Sequence, residues 1–245
     1  MKKYYYDLHI HSSLSPCGDD DSTPNNIAGM ATISELDIVA LTDHNTCKNC
    51  PAFFAAAEKY GIIPIAGMEL TSAEDIHVIC IFETLEDALK FDEFVYTKRI
   101  LIKNRPEFFG EQPILDEYEN IIAKEEFLLT NATSLSLEEI LPHVKRFGGV
   151  AYPAHIDREA NGIVAILGTV PKDTAYRLFE LNDKNKLLEA SETYGIPKEN
   201  FIISSDAHSL DAIRDKENYF TLPKGDAVEV RRELFKKLRK TAYGG

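Results

Sequence analysis

The sequence predicts an α/β fold built on a parallel sheet, open or closed. Two observations carry this. Short apolar runs alternate with helix-length segments bounded by caps and glycines, the pattern of strand–helix–strand units. Six of the seven histidines, His9, His11, His44, His77, His155 and His208, lie in or beside those runs, and carboxyl ends of parallel strands are where sites gather. The 245 residues, 44% apolar, suffice for one large domain of the barrel type or two small ones.

The first strand is Tyr4 to His11. His9 and His11 are two apart, so their imidazoles stand on one face and Leu8 and Ile10 on the other. Asp7 shares the face of His9 and either ligates or holds a ring N–H. A polar loop follows, with Cys17, Gly18, Asp19, Asp20 and Asp21. Thr23-Pro24 is an N-cap with proline at the first helical position, opening a helix to about Leu36. Asp37 to Leu41 is a buried strand ending in Thr42-Asp43-His44. A helix from about Pro51 to Tyr60 stops at Gly61. Ile62 to Met68 delivers Glu69, and Ile76 to Phe82 is a strand with His77 near its start.

Residues 84–137 break the pattern. Leu85 to Lys103 has helical periodicity, Pro113 to about Phe127 reads as a second helix, and the block reads as a mostly helical insertion over the mouth of one domain spanning 1–245. Lys98, Arg99, Lys103 and Arg105 make a basic cluster within it, either a solvated helix face or an anion-attracting lid. Ser136 and Glu139 form a capping box. A strand then leads to His155, Asp157 and Arg158. Tyr176 to Leu181 is a strand, Lys186 to Tyr194 a helix, and Phe201 to Ser205 a strand ending in Asp206-Ala207-His208. Tyr219 to Leu222 and a helix from Ala227 to about Arg239 close the chain.

Six histidines with Glu69 and Asp206 converging at strand ends need cations, and two or three divalent metals match that ligand supply. His143, inside a helix, stands apart. The net charge of −13 argues against nucleic acid or an anionic membrane as a scaffold partner. No apolar run has signal-peptide or membrane-spanning character, and four cysteines make no disulfide framework, so a cytoplasmic setting with reduced thiols is expected. Cys47 and Cys50 form a lone C-x2-C, which would suit a zinc or a dithiol only with further ligands such as Cys17 and His44.

The segments Asp7-Leu8-His9-Ile10-His11, Thr42-Asp43-His44, Gly67-Met68-Glu69, His77, Ala154-His155-Ile156-Asp157 and Ser205-Asp206-Ala207-His208 together resemble the motifs of the PHP (polymerase and histidinol phosphatase) family of metal-dependent phosphoesterases. The resemblance implies a distorted (β/α)7 barrel with up to three metals. On this chain one metal would take His9, His11, Glu69 and Asp206. A second would share Glu69 and add His77 and His155. A third would take His44 and His208 with a loop residue, Asp19 first, or Cys17, Asp20 or Asp21. It also implies hydrolysis of a small phosphomonoester or nucleotide by a metal-activated water, with Mn, Fe or Zn as the cation. Asp43 or Asp157 would orient an imidazole or accept a proton, and Arg158 would grip phosphate. The rival readings are a non-catalytic metal-binding module and a metallohydrolase of the amidohydrolase kind. The latter commonly carries a lysine at a strand end, and none is seen here.

Overall fold

The computed structural model describes residues 1–244. In chain order it forms β1 (Lys2–Ile10), α1 (Pro24–Ile33), β2 (Ile38–Leu41), α2 (Cys50–Tyr60), β3 (Ile63–Thr71), β4 (His77–Phe82), α3 (Leu85–Tyr96), α4 (Pro106–Phe109), β5 (Pro113–Leu115), β6 (Ile121–Lys124), α5 (Leu137–Arg146), β7 (Val150–Pro153), α6 (Ile163–Leu167), β8 (Phe179–Leu181), α7 (Leu187–Tyr194), β9 (Phe201–Ile203), β10 (Tyr219–Leu222) and α8 (Ala227–Tyr243). A curled six-stranded sheet runs in the order β10-β1-β2-β3-β4-β7, and β8 and β9 form a separate parallel pair.

The sheet is mixed, not parallel throughout. β1, β2 and β3 are parallel, joined by crossovers through α1 and α2. β4 runs antiparallel to both β3 and β7. Only residues 72–76 separate β3 from β4, too few for a crossover helix, so the chain must turn back on itself. The β8–β9 pair is tied to both flanks of the curl. Ile156 N–H donates to Glu180 O, and His11 N–H to Ala207 O, each at 2.9 Å.

Two apolar layers sandwich the sheet. Inside the curl lie Leu8, Ile65, Ile79, Ile81, Tyr152 and Ile202, sealed by Leu234 and Phe235 of α8. Outside, Ile27, Phe53, Phe91, Ile140 and Ala190 bring α1, α2, α3, α5 and α7 onto the sheet. Leu8 and Ile10 do not share a layer as simple alternation predicts. A register shift between Asp7 and Ile10 puts Leu8 inside and Ile10 outside.

Local rules explain most helix ends. The Thr23 side chain accepts from Asn26 N–H, Gly61 adopts the left-handed conformation at φ 71°, and Ser136 and Glu139 cap each other's backbone.

Residues 84–137 differ from their expected, mostly helical form. Only Leu85–Tyr96 and the four-residue α4 are helical, and residues 113–124 are a β-hairpin, β5–β6. Asp116 accepts from the backbone N–H groups of Tyr118 and Asn120, which makes the turn. One member of the basic cluster, Arg99, is taken up inside the fold. Arg99 is buried and donates to Phe127 O while contacting Glu125, which also binds Lys48. Residues 84–137 reach the mouth of the fold, because Asn45 Nδ2 donates to Leu129 O and Asn131 O on either side of Thr130.

Candidate metal centre

Every histidine that the sequence places at a strand end meets the others in one buried cluster. His9 and His11 leave β1 with Nε2 atoms 3.0 Å apart. Glu69, deep on β3, is the hub. His77 Nδ1 lies 2.8 Å and His155 Nε2 3.0 Å from its Oε1, and His44 Nδ1 lies 3.1 Å from its Oε2. Asp206 Oδ1 stands 3.2 Å from His9 Nε2, 3.4 Å from His11 Nε2 and 3.5 Å from His208 Nδ1. His155 and Asp206 both sit at positive φ, 26° and 54°. Side chains other than glycine rarely adopt that backbone, and the strain is held where it aims ligating groups inward.

Three sets of ligating atoms lie within 4.8 Å of one another: His9, His11 and Asp206; His44, Glu69 and His77; and His11, Cys17, His44 and His208. The loop residue brought in is therefore Cys17, not Asp19. Gly18 turns the loop tightly against the Ser12 and Ser15 carbonyls, and Asp19 N–H then donates to His208 O, leaving Asp19, Asp20 and Asp21 outside these sets. Cys47 and Cys50 are not part of them either. Both are buried, with thiols donating to Gly67 O.

The donor set fits divalent cations. Nδ1 of His155 is buried without a hydrogen-bond partner, and Asp206 and His44 meet other charged or ligating groups of the cluster without well-formed hydrogen bonds, an arrangement that costs free energy unless something else engages them. Electrostatics agree. Burial would raise the Glu69 carboxyl, but His77, His9 and His44 hold it well below the usual carboxylate range. Burial pushes His208 down to about 4, helped by His11, which favours the neutral imidazole, the form able to ligate, at neutral pH. Burial and the Glu69 carboxylate push the Cys17 thiol up to about 12, a shift that a bound cation would reverse.

Outside the cluster, buried carboxylates aim the imidazoles. Glu180 Oε2 lies 2.9 Å from His9 Nδ1 and accepts the His155 backbone N–H at 3.0 Å. Sequence reading missed Glu180, which sits mid-strand with no histidine beside it. Asp43 accepts from Ser12 Oγ and Ser15 Oγ at 2.7 Å each, and Ser15 Oγ lies 3.0 Å from His11 Nδ1. Asp7 is not among the ligating sets. It accepts from Ser205 N–H and His9 N–H, and burial raises its carboxyl to about 6. Asp157 is spent on backbone, accepting from Asn182 and Asp183 N–H at 2.8 and 2.9 Å. Arg158 reaches the cluster, with Nη1 2.5 Å from Asp206 Oδ2. The cleft above, about 460 Å³, is walled by Cys17, Thr130, Arg158, Glu159, Asn161 and His208.

A family model, PHP domain, matches residues 7–237. The chain belongs to the PHP domain family. The clustered His, Cys, Asp and Glu side chains of this PHP domain are groups that could hold metal ions. Over 76 residues the PHP chain is 30% identical to an uncharacterised protein of Methanocaldococcus jannaschii, covering 28% of this chain and 44% of that one. The lesion-specific endonuclease PfuEndoQ of Pyrococcus furiosus shares the fold at TM-score 0.63 and 21% identity, over 94% of this chain and 55% of that one. Endonuclease Q bound to a 27-mer duplex with an abasic lesion at its active site matches at TM-score 0.60 and 20% identity, over 97% and 57%. A proposed metal-dependent phosphoesterase of Bifidobacterium adolescentis matches at TM-score 0.52 and 18% identity, over 94% and 96%. The chain spans about half the length of the first of these relatives.

These likenesses correct one expectation. The acidic net charge argued against a nucleic-acid partner, yet this PHP fold is shared with enzymes that act on DNA. Net charge sums the whole surface, whereas a substrate meets only the mouth of the cleft. Among the described residues, no helix is long and apolar enough to cross a membrane.

Proposed function

We propose that this PHP-family hydrolase is a phosphoesterase for a small phosphomonoester or nucleotide, working in a reducing cytoplasmic setting. The observation that carries the reading is the buried meeting of six imidazoles with Glu69 and Asp206, beside Arg158, which is paired with Asp206 at the cleft wall. In this reading β8 and β9 close the curled sheet into the distorted seven-stranded barrel of the family. The 84–137 block is an insertion within one domain. The metal ligands are His9, His11, His44, Glu69, His77, His155, Asp206 and His208, with Cys17 completing the set.

Bound Mn, Fe or Zn supplies charge neutralisation and an acidified water. The chain's own groups do the rest. Glu180 fixes the tautomer and angle of His9, and the Asp43–Ser15 pair does the same for His11. Arg158 exchanges its Asp206 contact for a planar fork on the phosphoryl oxygens. Asp157 holds the loop after β8 and so the base of Arg158.

A second reading is hydrolysis of a phosphodiester in damaged DNA, favoured by the fold shared with endonuclease Q. One experiment separates them. Protein purified without chelator is analysed for metal and assayed on p-nitrophenyl phosphate, a nucleotide panel and an abasic-site duplex. Two or more equivalents of Mn, Fe or Zn with chelator-sensitive monoester turnover supports the first reading. Cleavage of the duplex alone supports the second. Metal without any turnover refutes both and leaves a metal-binding module.

A further inference from the structure

Beyond the metal cleft lies a second cavity of about 390 Å³ that shares two wall residues, Arg158 and Glu159, with it. Its floor follows from strand geometry. Glu180 points to the metal centre, so its strand neighbour Leu181 points away from it, and Leu181 and Ile156, which follows β7, both lie in the outer apolar layer. Over that floor α6 has only five residues, ending at Gly168, whereas α7 has eight. The short α6 leaves a gap between the two helices, lined by Val164, Ala190 and Tyr194. The polar residues Lys186 and Thr193 stand exposed at its rim.

We infer that this cavity is the subsite for the organic part of the substrate, an apolar, ring-sized group joined through the ester oxygen to the phosphoryl held at the metal centre. The inference rests on the phosphoesterase reading. Three observations support it. The volume suits a small organic group, within the 300–1,000 Å³ typical of ligand pockets. The floor and helix walls, Ile156, Leu181, Val164 and Ala190 with the Tyr194 ring, are apolar, while the charged residues Asp157, Glu159, Lys186 and Glu189 also line the cavity, so the apolar part favours a ring over a polyhydroxy chain whose hydroxyls would lose their water there. Arg158 stands in the shared wall, so the phosphoryl it grips has its substituent beside the opening. Substrates with an aromatic or heteroaromatic group, nucleotides among them, therefore exceed glycerol phosphate in kcat/KM through a lower KM.

The test uses the metal-loaded full chain. Thr193→Trp fills the cavity from an exposed rim position, which spares the core, and Tyr194→Ala removes its ring wall. Circular dichroism and metal content are checked first. The expected result is a KM for phenyl phosphate raised tenfold or more in Thr193→Trp and several-fold in Tyr194→Ala. Turnover of glycerol phosphate changes by less than twofold in both. Calorimetric binding of phenylphosphonate against methylphosphonate reads the same subsite without turnover. Tighter binding of the phenyl compound, lost in Thr193→Trp, supports the subsite even if no ester is hydrolysed, in which case only the phosphoesterase reading fails. Equal binding of the two phosphonates, or a phenyl preference untouched by both variants, overturns the subsite while leaving any observed phosphatase activity intact.

Discussion

The sharpest contrast at the residue scale is between ligating groups and the groups that aim them. The clustered histidines were legible in the sequence because they lie in or beside short strands, whereas Cys17, in the loop after β1, stood behind Asp19. Glu180 was not legible, since a glutamate flanked by Phe179 and Leu181 reads as an ordinary strand residue. Its signal would have been its neighbours, three-dimensional ones, with His9 and His155 both within hydrogen-bonding reach. Loss of such an outer partner typically costs 10–100-fold in metal affinity. Glu180→Ala is therefore expected to weaken metal binding by about that factor, measured by competition with a chelator of known affinity, whereas an unchanged affinity would reduce Glu180 to a packing role. The loop ligand makes a second residue-scale prediction. Cys17→Ser should lower the bound metal by up to one equivalent, because the thiolate is the soft donor of its set. Asp19→Asn should change nothing in the same metal analysis.

At the scale of elements, helices with explicit punctuation were read well and irregular segments were not. Thr23-Pro24, Gly61 and the Ser136–Glu139 box each name a helix end by a local hydrogen-bonding need. The 113–124 hairpin carried opposing signals. Its apolar residues are spaced as either period allows, and the Asp116–Asn120 turn chemistry was the better guide. The antiparallel β4 was likewise signalled only by the shortness of residues 72–76. Capping supplies the test at this scale. Ser136→Ala removes the side-chain acceptor for Glu139 N–H and should cost about 1 kcal/mol. Urea unfolding should show a lower midpoint with the slope unchanged. By comparison Phe91→Ala, which removes a buried ring packed tilted against Phe82 and edge-on to Phe147, should cost about 3–5 kcal/mol in the same assay.

For the whole molecule, metal and fold are coupled. The candidate ligating groups come from in or beside β1, β2, β3, β4, β7 and β9 and from the Cys17 loop, so a cation held among them would join strands from both flanks of the curl. Without it, the carboxylates of Glu69 and Asp206 and the crowded imidazoles remain buried inside the native fold, whereas in the unfolded chain water solvates them. Cations that bind the native state and not the unfolded chain add stability by mass action, about 4 kcal/mol per site at a thousandfold excess over Kd. Chelation should accordingly lower the Tm of the wild-type protein by several degrees, and added Mn or Zn should restore it. The His9→Ala/His11→Ala double variant separates this from general salt effects. It removes two donors from the first ligand set and one from the Cys17 set while leaving Glu69, His77 and His155 in place. Its Tm should respond less to chelator than that of the wild type, and differential scanning calorimetry of both proteins with and without EDTA would reveal it. An equal response in the two proteins would mean that the stabilising cation sits elsewhere, and the assignment of the β1 histidines as ligands would fall.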